Sequence, residues 1–105
     1  MRNDIEDAWS ALRECLAARS RALQDEVRSY PTPIARCDEQ LPQVIAERDA
    51  AVGRLRRASD LESARATVGR DEWLGRLREF AAALELESAD AAAGPRARLL
   101  AALER

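Results

Sequence analysis

Apolar residues recur along the first thirty positions at spacings of three, four and seven: Ile5, Trp9, Leu12, Leu16, Leu23, Val27 and Tyr30. Side chains at these intervals share one face of a 3.6-residue helix, so the pattern predicts a long amphipathic helix over about 4–29. Asn3, with Glu6 three positions later, supplies a capping-box start. Tyr30-Pro31-Thr32-Pro33 ends the helix, because each proline lacks a backbone donor and pushes the residue before it toward extended geometry.

A second stripe, Ile34, Cys37, Leu41, Val44, Ile45, Val52, Leu55 and Ala58, predicts a helix over 33–58, with Thr32 as its N-cap and Pro33 at the first helical position. Pro42 either kinks this helix or marks its start. Ser59 with Glu62 either restarts the chain as a short helix over 60–66 or lies within a continuous one, and Gly69 then turns it. Trp73, Leu74, Leu77, Phe80, Ala81 and Leu84 share a face of a helix over 71–87. Gly94-Pro95 separates a last helix, over 95–104, bearing Leu99, Leu100 and Leu103. The expected fold class is all-α, in a single domain spanning 1–105.

Folding the chain back at Pro31 and Thr32 places Val27 near Cys37, Leu23 near Leu41, Leu12 near Ala51 and Val52, Trp9 near Leu55, and Ile5 near Ala58. Matched apolar stripes of this kind predict an antiparallel helical hairpin with one or two shorter C-terminal helices packed on it. A first helix of this length extends ~39 Å, longer than a compact domain of this size is wide, so an elongated molecule is expected. The shorter helices leave part of the hairpin uncovered, and a second copy completing a dimeric helical bundle is the expected solution. Arg19, Glu26 and Arg48 fall at stripe positions where a coiled-coil seam wants apolar residues. They either fix register and partner choice or reach solvent as the 3.6-residue period drifts against 3.5.

Composition weakens the core that this pattern draws. Of the 47% apolar residues, 22 are alanine, which removes little area from water. All 17 basic residues are arginine, a usage that points to a GC-rich, bacterial coding sequence, and they are balanced by 19 acidic residues to a net charge of −2. Such interleaved charges read as solvated helix faces.

The chain has no histidine, which removes histidine acid–base catalysis, Ser–His and Cys–His nucleophiles and the Glu-x-x-His pairs of di-metal bundles. No glycine-rich phosphate loop is present. A non-enzymatic protein with no cofactor and no metal is expected. Cys15 and Cys37 would lie ~16 Å apart along the hairpin, beyond the ~7 Å reach of a disulfide, so reduced thiols in the cytoplasm are expected. The segment around Met1–Asp7 carries no apolar signal core, and no stretch of ~20 apolar residues suits a membrane span.

Three stretches invite a specific reading. Tyr30, Pro31, Pro33, Arg36 and Asp38 combine an aromatic, prolines and a charge pair in one connection, either a loop that grips a protein partner or a rigid link closing the core. Arg54, Arg56, Arg57, Arg65 and Arg70 outnumber Asp60 and Glu62, giving an alternative role in touching nucleic acid, although Asp71 and Glu72 would repel a phosphate backbone. Trp73-Leu74-Gly75 resembles the W-x-G tripeptide of small secreted helical-hairpin proteins. In that family the tripeptide lies in the turn between two long helices, whereas here it falls inside a later helix, so the resemblance covers three residues. Self-association as an interaction or assembly subunit is the function this sequence supports first.

Overall fold

The computed structural model describes residues 3–29 and 40–104, the side chains of Gln40 and Leu41 apart. Four helices follow one another: α1 (Asp4–Ser29), α2 (Gln40–Ala64), α3 (Arg70–Ala83) and α4 (Ala93–Leu103), with no strand among the described residues. Asn3 caps α1, its Oδ1 accepting the Ile5 backbone N–H at 3.0 Å, and Asp4, Glu6 and Asp7 place negative charge in the first turn, where the helix dipole favours it. Only half of the expected capping box forms, because the Glu6 carboxylate is engaged by Arg65 instead.

The stretch 33–39, expected to open the second helix, lies outside the described residues. Pro42 sits in the first described turn of α2, and the helix runs on to Ala64. Ser59 does not break it. The separate helix expected over 60–66 is therefore the last turn of α2, which ends where the Ala64 carbonyl accepts the backbone N–H groups of Thr67 and Val68, both at 3.0 Å. The Thr67 hydroxyl donates to the same oxygen at 3.1 Å.

The helix expected over 71–87 stops earlier, at Ala83. Leu84 turns to extended backbone (φ −66°, ψ 122°), which keeps its side chain in the core at 5% exposure while Arg96 donates to its carbonyl at 2.6 Å. Gly94 and Pro95 do not separate elements either; they form the first turn of α4, which begins at Ala93. In the turn before that helix, the Asp90 carboxylate accepts the Ala92 N–H at 2.9 Å. At the far end of α4, Arg78 donates to the Leu103 carbonyl at 2.5 Å. Arginine thus satisfies carbonyls left over at the ends of both α3 and α4.

The packed core joins Ala8, Trp9, Leu12 and Leu16 of α1, Ala58 and Leu61 of α2, Trp73, Leu77 and Ala81 of α3, and Leu99 and Leu103 of α4. Trp9 meets Trp73 (6.3 Å, 78°) and Phe80 (5.9 Å, 86°) edge to face, the arrangement aromatic quadrupoles prefer. This core stops at Leu16 on α1 and at Leu55 on α2. Beyond it Ser20, Leu23 and Ala51 are buried, but Val27, Val44, Ile45 and Val52 stay half-exposed. The molecule is correspondingly long, 53 × 28 × 22 Å, with a radius of gyration of 16.2 Å, against ~13 Å for a compact chain of this length.

Contacts between α1 and α2 run in opposite order along the two helices: Glu6 meets Arg65, Trp9 meets Glu62, and Arg19 meets Glu47. Trp9 therefore faces Glu62, about two helical turns beyond Leu55, its expected neighbour. The indole N–H supplies the reason, since a buried donor needs an acceptor and leucine offers none.

Glycine weakens two of the helices without an evident return. At Gly53, inside α2, a Cβ would meet only the end of the Arg57 guanidinium, at 3.7 Å, and at Gly75, inside α3, it would find nothing within 4 Å. Neither has positive φ. Gly53→Ala and Gly75→Ala should each raise stability by about 0.5–1 kcal/mol, read as a higher urea midpoint with unchanged slope.

Candidate functional site

Three places bring polar chemistry together. The first surrounds the tryptophan pair. Glu62 accepts the Trp9 Nε1–H at 2.5 Å and faces Arg13 at 3.8 Å and Arg65 at 3.4 Å. Arg65 also pairs with Glu6 and lays its guanidinium over Trp73, 4.4 Å from the ring centroid. Trp73 Nε1–H donates to the Leu61 carbonyl at 2.8 Å. Each carboxylate and indole in this chain of contacts is answered within the same molecule. Arg13 Nε, buried without a hydrogen bond, still faces the Glu62 carboxylate. The cluster ties α1, α2 and α3 together through contacts made within the same chain.

The second is a groove of about 760 Å³ between α1, α2 and the segment joining α3 to α4, lined by Cys15, Arg19, Leu23, Glu47, Arg54 and Asp90 among others. Arg19 pairs with Glu47 at 3.7 Å, Arg54 donates to the Glu85 carbonyl at 3.4 Å, and Asp90 is held by the Ala92 N–H. Cys15 is a free, half-buried thiol whose Sγ lies 3.7 Å from the Ala91 carbonyl. Among the described residues no three His, Cys, Asp or Glu side chains gather as a metal site would require.

The third is a shallow depression of about 330 Å³ toward the α1 C-terminus, lined by Gln24, Val27, Arg28, Arg48, Asp49 and Val52. Aliphatic side chains from two helices meet here beneath exposed charges. Arg28 pairs with Asp25 at 3.8 Å and Arg48 with Asp49 at 3.1 Å.

Against these places, the residues singled out by sequence distribute unevenly. Tyr30, Pro31, Pro33, Arg36 and Asp38 lie outside the described residues, as does Cys37. Within the single chain, Arg19 and Glu26 are exposed and Arg48 is half-buried. The polar residue that is enclosed is Ser20, 1% exposed, whose Oγ accepts from Gln24 Nε2 at 2.9 Å; a small hydroxyl in the stripe at i−4 from glutamine was the available signal. Of the arginine-rich stretch, Arg65 and Arg54 are engaged internally while Arg56, Arg57 and Arg70 are exposed, which scatters the basic face that phosphate binding wants. No described helix is long and apolar enough to cross a membrane.

No protein-family model, curated protein or solved structure matches this chain, so its own geometry has to carry the functional reading.

Proposed function

We propose that the chain is a non-enzymatic interaction or assembly subunit that acts as a homo-oligomer, its two long helices forming an antiparallel hairpin that a second copy completes into a larger bundle. The observation that supports this is surface. The chain exposes 7205 Å², whereas a compact monomer of 11.6 kDa exposes about 5,800 Å². The surplus of about 1,400 Å² exceeds the ~800 Å² that each partner contributes to a stable protein–protein interface. The part of α1 and α2 that extends past the core keeps four aliphatic side chains half-exposed.

Contact with nucleic acid through Arg54–Arg70 is the alternative, and only the exposed Arg56, Arg57 and Arg70 support it. Sedimentation equilibrium across a wide concentration range separates the readings. A mass at least twice 11.6 kDa at the upper concentrations is expected. A stable monomer throughout would overturn self-association.

A further inference from the structure

The depression near the end of α1 has the properties of a self-complementary surface. On α2, Ile45, Arg48, Asp49 and Val52 follow at helical spacings along one face, and on α1 Gln24, Val27 and Arg28 do the same. Val27 and Val52 line the depression together, and Ile45 lies one turn before Asp49. The charges above this aliphatic strip cancel: Arg28 and Arg48 against Asp25 and Asp49. The Arg28–Asp25 pair is open to solvent, the two side chains keeping 76% and 74% of their surface exposed, whereas Arg48, 34% exposed, donates from both Nε and Nη2 to Asp49, which keeps 66% exposed.

We propose that this strip, Val27, Ile45 and Val52 with its rim of Arg28, Arg48, Asp25 and Asp49, is the face through which a second copy of the chain docks about a two-fold axis. The inference rests on the self-association proposed above and names its surface. A two-fold contact sets the same patch against itself, so residue i of one copy meets residue j of the other and the reverse. A neutral patch with two charges of each sign satisfies that condition, because rotation places each arginine in reach of an aspartate of the other copy. A strongly basic or acidic partner would find half of these charges repulsive. The aliphatic strip supplies the apolar centre and the charges the rim, the usual division of an interface.

Four proteins test this by sedimentation equilibrium, with far-UV circular dichroism to establish that each is folded: the wild type, Val27→Glu/Val52→Glu, the exposed charge reversal Arg28→Asp, and Arg28→Asp/Asp49→Arg. Placing like carboxylates in the strip should weaken dimerisation at least a hundredfold. Arg28→Asp, at a side chain three-quarters in solvent, cannot disturb the core and should weaken it several-fold, with recovery when combined with Asp49→Arg. A dimeric wild type whose dissociation constant is unmoved by these folded variants would overturn this face while leaving self-association standing. A monomeric wild type would overturn both.

Discussion

Trp9→Ala should remove about 3–5 kcal/mol of stability. Trp9 is fully buried, touches Trp73 and Phe80 edge to face, carries Arg13 over its ring at 5.4 Å, and gives its N–H to Glu62. Aromatic residues make up only 4% of the sequence, so the neighbours have few large side chains with which to refill the space. Set against the ~5–15 kcal/mol total of an ordinary domain, that loss brings the protein close to unfolding at room temperature. Urea titration followed by far-UV circular dichroism measures it. Trp9→Phe separates the two contributions: most ring contact survives, but Glu62 loses its indole donor, at a cost of about 1–3 kcal/mol. If Trp9→Ala shifted the midpoint no more than a surface substitution, the core would not be centred where the structure places it.

Leu99→Ala should cost about 2–5 kcal/mol and act on one element first. Leu99 is fully enclosed, and α4 packs on both α1 and α3, so a cavity beneath Leu99 loosens the helix that closes the core. Amide exchange should accelerate throughout α4 before it changes in α1. Exchange near Arg78 should follow, because the Leu103 carbonyl it holds lies at the end of the same helix. Leu100→Ala is the control. That side chain is half-buried, and its truncation should cost under about 1 kcal/mol. Equal effects from the two leucines would mean that α4 is rotated relative to its described packing.

The apolar spacing drew five helices where the described residues form four, and it placed the inward faces at Trp9, Leu12, Leu16, Trp73, Leu77, Ala81, Leu99 and Leu103, all buried. Boundaries were harder because capping side chains have competing uses. Ser59 and Glu62 spell a helix start, yet Glu62 is taken by a tryptophan 53 positions away in sequence, and without it the start signal lapses. Glu6 is similarly drawn from its own cap to Arg65. Gly94-Pro95 reads as a breaker, yet both residues lie in the first turn of α4, after a turn in which Asp90 accepts the Ala92 N–H. Arg19, Glu26 and Arg48 could be read from spacing either as seam residues or as solvent-facing ones, because a 3.6-residue period drifts against a heptad over this length.

Periodicity, alanine content and the missing histidine determined by themselves that this is a helical protein with a thin core and without the usual histidine chemistry. Those properties are local, fixed by which residues share a helix face and which side chains exist. The register of α1 on α2, the closure of α3 and α4 over one end, and the half-exposed aliphatic strip at the other were decided only by tertiary structure. Each depends on long-range pairings, such as Trp9 with Glu62 and Arg78 with Leu103, that no spacing along the chain encodes. A polar group must find its partner wherever the fold brings one within reach.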